Sequence, residues 1–259
     1  MNKVLTAKEG NVKKIIINRA ERRNALDPET CQLLTDEFKK LREEKDVRVL
    51  IVTGAGNSFC AGADLKWMPE GENPLEDPEK RVWLFQNMIK ELFYLPIPTI
   101  AAIRGHAVGF GCSLALACDI RIAAEDAKMG VLFSKIGLMP DGGASYFMPR
   151  LVGLGKTLEL FYTADIIDAN ECLRLGLVNR VVKIDDFEKE VGDLSHKISK
   201  GPPIAYRNLK QTVRDGLSMN LDGVLKGEVR GQVQCLKSSD FLEGVSAFFQ
   251  KRAPEFKNE

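Results

Sequence analysis

Short apolar runs alternate with amphipathic stretches through the first half of the chain. Residues 12–18 carry Ile15, Ile16 and Ile17 and end on an asparagine, a β-branched run that predicts a strand. Over 28–44, Leu33, Leu34, Phe38 and Leu41 recur among charged residues at the spacing of an amphipathic helix. Residues 48–54 (RVLIVTG) read as a buried strand ending in glycine, and the polar, proline-containing stretch 70–80 reads as a surface loop. A second amphipathic helix is predicted over 81–94, followed by Pro96-Ile97-Pro98 and a strand over 99–104 (TIAAIR). A short helix over 110–117 then leads into a strand over 118–123 (CDIRIA). From about residue 155 onward the pattern is helical, apart from a short strand near 178–182.

Strand, helix and strand in this rhythm predict an α/β fold of parallel βαβ units with helices outside. The expected organisation is a core domain over 1–200 and a C-terminal helical part over 201–259, without an internal repeat or low-complexity linker. With 259 residues and 44% hydrophobic content the chain can bury a substantial core. Lysine and arginine (37) nearly cancel aspartate and glutamate (36). No global field therefore favours nucleic acid or an anionic membrane, and an anionic ligand has to be met by a local cluster of cations. No apolar run reaches the roughly 18 residues of a membrane span. The first residues also lack a signal-peptide pattern, so a cytoplasmic location is expected. Six cysteines without a CxxC pair predict buried free thiols in a reducing compartment. Two distant histidines, His106 and His196, give no basis for a metal site.

Two glycine-containing junctions carry the candidate chemistry. One spans 58–66 (SFCAGADLK), directly after the strand ending at Gly54, and the other spans 105–113 (GHAVGFGCS), directly after the strand ending at Arg104. Small residues at strand-to-helix turns let main-chain N–H groups approach a ligand. Two such turns on neighbouring strands could aim two donors at one oxygen, although tight turns alone would give the same pattern. The second junction is not a dinucleotide fingerprint, because Leu114 stands where the last glycine is required.

Taken together, these segments resemble the enoyl-CoA hydratase/isomerase, or crotonase, family. The resemblance is carried in order by Arg23-Asn24-Ala25-Leu26, FCAGADL at 59–65, 98–103, GHAVGFG at 105–111, ACDIRIA at 117–123, FSKIGLMPDGG at 133–143 and EGVSAFFQKRAPEF at 243–256. It implies a spiral of ββα units, a C-terminal helical trimerisation region, and a homotrimer or a hexamer of two trimers. The substrate it implies is an acyl-CoA thioester, with no cofactor beyond the CoA moiety. By position, the N–H groups of Ala63 and Phe110 would hold the thioester oxygen. Arg23, Ala25, Ala61, Asp64, Leu65 and Lys66 would border CoA, with Lys251 reaching CoA on a neighbouring subunit. Trp67, Met68, His106, Ser113 and Phe133 would border the acyl group. Read as bare residues, Asp64 and Asp119 are structural, as caps or ion-pair partners near helix and strand ends, His106 is a packed histidine, and Trp67, Met68 and Trp83 are core.

Hydratases of this family hold water with two glutamates, and the corresponding positions here are Ser113 and Phe133. Neither can act as a base near neutral pH. Asp141, in Met139-Pro140-Asp141-Gly142-Gly143, is a turn signal by itself. Within the family it resembles the acid–base residue of isomerases acting on ring-derived acyl-CoAs in phenylacetate breakdown. The expected chemistry is isomerisation, in which Asp141 removes a γ-proton from a 3-enoyl-CoA and returns it elsewhere along the dienolate. Alternatives are a hydratase with non-standard acids drawn from Asp141 or the loop carboxylates Glu70, Glu72, Glu76 and Asp77, a hydrolase or dehalogenase with Asp141 as nucleophile, and a silent CoA- or RNA-binding relative.

Overall fold

The computed structural model describes residues 2–67 and 77–258. Its main sheet has six strands: β1 (Val4–Glu9), β2 (Val12–Ile17), β3 (Val49–Gly54), β4 (Thr99–Ile103), β6 (Ile120–Ala124) and β9 (Arg180–Val182), in the order β1-β2-β3-β4-β6-β9. A second sheet joins three very short strands, β5 (His106–Val108), β7 (Lys128–Gly130) and β8 (Ile167–Asp168). All pairs of the main sheet are parallel except the β1–β2 hairpin. Strand β3 is apolar along its length because both of its faces are buried. Leu50 and Val52 enter the larger core, whereas Val49 and Ile51 face Phe187 and Val191 of a covering helix, α7 (Phe187–Ser199).

The second sheet is longer than its strands suggest. Isolated parallel bridges pair Leu26 with Ala63 and Cys60 with Ala107, so successive turns of the chain each add a step beside β5. The path is thus a spiral, each turn laying one strand in the main sheet and one short segment in the smaller. This is the crotonase-type α/β fold that the motifs predict.

The helices form where the pattern places them. Helix α1 (Pro28–Leu41) starts at Asp27, whose Oδ1 accepts from Thr30 N at 2.8 Å, with proline in the first turn. Its buried stripe is Cys31, Leu34, Phe38 and Leu41, while Leu33, predicted on that face, is exposed. Helix α2 (Pro78–Phe93) begins three residues before its predicted start, because Asp77 caps it by accepting from Lys80 N at 3.0 Å. Helix α3 (Phe110–Ala117) is buried on every side. The chain continues through α4 (Ala144–Val152), α5 (Leu154–Thr163), α6 (Ala169–Arg174) and, after α7, through α8 (Pro203–Gly216), α9 (Leu221–Leu236) and α10 (Ser239–Gln250). Asp119 joins α8 to the starts of β4 and β6: it accepts from Thr99 N at 2.8 Å and pairs with Lys210 at 2.7 Å and Arg214 at 2.6 Å. This is the structural pairing role expected of Asp119. Trp83, expected in the core, is 54% exposed and donates to Glu79 on its own helix. Among the described residues no helix is long and apolar enough to cross a membrane, and no group of His, Cys, Asp or Glu is placed to hold a metal. Cys31, Cys60, Cys112, Cys118, Cys172 and Cys235 are free, all but the last buried.

Candidate active site

The two glycine junctions meet. Cys60 N donates to His106 O at 2.9 Å and Val108 N donates back to Cys60 O at 3.1 Å, so the first junction runs along β5. Leu26 N to Gly62 O and Asp64 N to Leu26 O, both 2.8 Å, fix its other side. Gly62 has φ +95°, and a Cβ there would fall 2.9 Å from Val108 O and 3.2 Å from Phe110 N. Only glycine allows this approach.

Nearly every N–H around this contact is satisfied. Ala61 N donates to Arg23 O at 3.0 Å, Gly62 N to Cys60 Sγ at 3.4 Å, and Gly109 N to Gly130 O at 2.8 Å. The N–H groups of Ala63 and Phe110 have no acceptor among the described residues. Phe110 opens α3, so its N–H belongs to the unpaired first turn of a helix, where the dipole favours negative charge. A cleft of about 230 Å³ lies over both donors, bounded by Ala61, Gly62, Ala63, Gly109 and Phe110. Its remaining wall is Leu65, Leu132, Phe133, Ile136 and Leu138, with the exposed Lys135 as its only charged residue among the described ones.

Asp141 stands beside this cleft. It follows the 3-10 turn Phe133–Ile136 and precedes α4, in a turn where Gly142 has φ +60° and Gly143 has φ +81°. A Cβ at Gly142 would lie 2.7 Å from Ser113 Cβ and 2.9 Å from the Phe110 ring, so the turn is seated directly on α3. Phe85 braces the same ring edge-on at 5.1 Å. Asp141 Oδ1 is buried and has no hydrogen-bond partner. Burial, with no charged neighbour contributing, pushes the carboxyl up from 3.8 to about 6.

The other predicted residues divide clearly. Ala61, Ala63, Leu65, Phe110 and Phe133 line the cleft. Arg23 and Lys66 are exposed and carry no ion pair among the described residues. Ala25 is buried, with its carbonyl accepting from Arg19. Asp64 is engaged by Arg19 at 2.8 Å, which is the structural alternative for that residue. Ser113 is fully buried and gives its hydroxyl to Asp141 O at 2.8 Å. His106 is half-buried in β5 and does not line the cleft. Lys251 is exposed at the end of α10, away from this cleft's lining. Trp67 ends a 3-10 turn, Leu65–Trp67, and Met68, Glu70, Glu72 and Glu76 lie outside the described residues. Asp77 is committed as the α2 cap.

Three further contributors are assigned no role by sequence reasoning. Arg19 clamps Asp64, Asp27 (3.2 Å) and Ala25, tying the segment before α1 to the first junction. Asn24, with φ +59°, donates to Ala55 O at 2.9 Å and Ser58 O at 2.6 Å; an asparagine between two turn segments is the one available hint. Lys135, exposed on the cleft wall, has no ion pair among the described residues.

A profile described as enoyl-CoA hydratase/isomerase matches residues 7–259. The chain belongs to the enoyl-CoA hydratase/isomerase family. Within this family it is 35% identical to a short-chain-enoyl-CoA hydratase of Clostridium acetobutylicum, over 100% of this chain and 99% of the relative. It is 34% identical to a 1,2-epoxyphenylacetyl-CoA isomerase of Escherichia coli, over 99% of this chain and 98% of the relative. A crystal structure of an enoyl-CoA hydratase from Bacillus anthracis superposes with a TM-score of 0.94 at 35% identity, covering all of both chains. Identity alone therefore does not divide hydration from isomerisation, and the side chains at the cleft have to.

Proposed function

We propose that this enzyme is an enoyl-CoA isomerase in which Asp141 is the single acid–base group. The observation that carries the reading is the unpartnered Asp141 Oδ1, buried beside the helix whose first N–H and that of Ala63 are free to hold an oxyanion. The two positions that the family resemblance gives to water-holding glutamates are filled by Ser113, whose hydroxyl is committed to Asp141 O, and by the Phe133 ring. Asp141 stands beside the cleft, behind Phe110, and among the described residues no second carboxylate lines it. Addition of water needs groups placed for both hydroxide and proton, whereas a double-bond shift needs one group that takes and returns a proton. In a 3-enoyl thioester the acidic proton is the one on C2, not the γ-proton expected from the sequence. Its removal by Asp141 gives a dienolate whose oxygen accepts from Ala63 and Phe110. The protonated Asp141 then delivers the proton to C4, and the double bond moves to C2–C3. A carboxyl near 6 is suited to both halves of that exchange.

Arg23, Lys66 and Lys135 supply cations for the CoA phosphates in this reading, with Lys251 contributed by a neighbouring copy. Leu242, Phe248 and Phe249 on α10 are 68%, 79% and 78% exposed, an apolar face suited to the trimer or hexamer we infer. Buried thiols suit a reducing, cytoplasmic setting. A second reading, hydration with non-standard acids, is favoured by the printed names of relatives such as the Clostridium acetobutylicum enzyme. Purified protein given trans-3-hexenoyl-CoA and crotonyl-CoA in parallel separates the two by absorbance and mass. A shifted double bond without added mass, lost in Asp141→Asn, is expected; addition of water to crotonyl-CoA would overturn the isomerase reading.

A further inference from the structure

We propose that Ser113 is a positioning residue: through the Asp141 carbonyl it fixes the acid–base carboxyl relative to the oxyanion donor on the same helix. The inference rests on the assignment of Asp141 as acid–base group. Ser113 is fully buried, and its Oγ donates across 28 positions of sequence to Asp141 O at 2.8 Å. A serine inside a helix more usually turns its hydroxyl back to the carbonyl four residues earlier, here Gly109. In this protein that carbonyl accepts instead from Cys112 N at 3.1 Å and Ser113 N at 3.4 Å. The hydroxyl reaches outward to the turn.

The placement gives the bond its consequence. Ser113 follows Phe110 by three residues, one helical step of about 4.5 Å along α3 and on the same face. The donor for the oxyanion and the anchor for the acid therefore belong to one rigid element. Asp141 O accepts also from Ala144 N at 3.1 Å, so the turn survives without the serine hydroxyl but keeps one anchor instead of two. Gly142, pressed on both Ser113 Cβ and the Phe110 ring, closes the same contact from the other side. Asp141 Oδ1 has no hydrogen bond among the described residues; what orients the carboxyl is the main chain that carries it, and Ser113 holds that main chain. If the hydroxyl merely satisfied a buried carbonyl, its loss would change stability and leave the proton transfer untouched.

The test compares wild type, Ser113→Ala, Asp141→Asn and the double variant with trans-3-hexenoyl-CoA, and follows the Asp141 carboxyl by carbon NMR titration in the substrate-free protein. Ser113→Ala is expected to lower kcat about tenfold, the effect of one well-placed hydrogen bond, with KM unchanged. It should also move the Asp141 titration down toward the ordinary carboxylate range as the loosened turn admits water. Added to Asp141→Asn, it should lower residual turnover no further. Wild-type kcat and titration in Ser113→Ala, with Asp141→Asn inactive, would overturn the positioning role and leave the Asp141 assignment standing. An equal loss in both backgrounds would overturn it as well, since the serine would then act elsewhere. Full activity in Asp141→Asn would remove the acid–base assignment, and the Ser113 inference with it. The titration decides the matter even where the Asn variant leaves no turnover to compare.

Discussion

Replacing Asp141 with asparagine should stabilise the fold at the same time as it stops the reaction. The carboxyl is raised from 3.8 to about 6 by burial alone, so the folded chain disfavours the ionised form. Between those pH values the native state holds a proton that the unfolded chain has released, and stability falls as pH rises through that window. Above it the whole penalty stands, at most about 3 kcal/mol at 1.36 kcal/mol per pH unit, and about 2 kcal/mol once partial exposure is allowed for. Asparagine has nearly the same shape and carries no charge to desolvate. The variant should therefore be more stable than wild type by about 2 kcal/mol at pH 8, roughly 4–8 °C in Tm, and nearly equal to it at pH 4. Turnover should fall about 10²–10⁴-fold, the usual contribution of a placed acid–base group. Urea denaturation at the two pH values, alongside the isomerase assay, checks both halves. Equal denaturation midpoints at pH 8, or the same gain at pH 4 as at pH 8, would refute the claim that the site pays for an unsatisfied carboxylate.

The other expectations concern the frame around that group. Gly62→Ala forces a Cβ to 2.9 Å from Val108 O and 3.2 Å from Phe110 N at φ +95°; kcat should drop about 10²-fold or more as the two donors lose alignment, read by steady-state kinetics. Asp119→Ala leaves Lys210 and Arg214 without their carboxylate and should cost about 3–5 kcal/mol, measured by chemical denaturation. Charge removal at Arg23, Lys66 or Lys135 should weaken CoA binding a few-fold each, less at high salt, with kcat retained; calorimetric titration with CoA at two ionic strengths checks this.

How far the sequence carries the structure depends on what each element is made of. Strands β3 and β4 are legible because buried parallel strands are apolar along most of their length, and β2, β6 and β9 because short β-branched runs stand out between polar helices. Strand β1, exposed on nearly all its residues, has no such run. The second sheet is illegible because β5, β7 and β8 hold only three, three and two residues, too few for any period, and its partners are distant in sequence. At the site, the glycine junctions announce themselves because only glycine lets two main chains approach so closely. Asp141 does not, since Pro-Asp-Gly-Gly reads the same whether its carboxylate meets water or a buried wall. Arg19 is hidden for a related reason: its pairing with Asp64 spans 45 positions, and no local pattern records it. Trp83 misleads because a large aromatic at helical spacing ordinarily faces the core, whereas here it faces outward.

The orphaned oxygen gains meaning from how the rest of the chain treats buried polar groups. Arg121 is buried, yet it donates to Leu177 O at 2.6 Å and Cys118 O at 2.7 Å. Buried Asn24 is bonded at both ends of its amide, and Lys210 reaches Ile97 O as well as Asp119. Among the described residues Asp141 Oδ1 is the single buried side-chain oxygen or nitrogen left without a partner, so general looseness of packing does not account for it. Among the described residues the N–H groups of Ala63 and Phe110 also lack an acceptor, and no hydrogen bond joins them to that carboxyl. Unsatisfied donors and an unsatisfied acceptor are each costly when buried, and a chain selected only for stability would bring them together. Held apart by α3 and a turn pressed onto it, they are complementary to a third body that offers an oxygen at one end and an acidic C–H at the other. A thioester with an enolisable carbon has that shape.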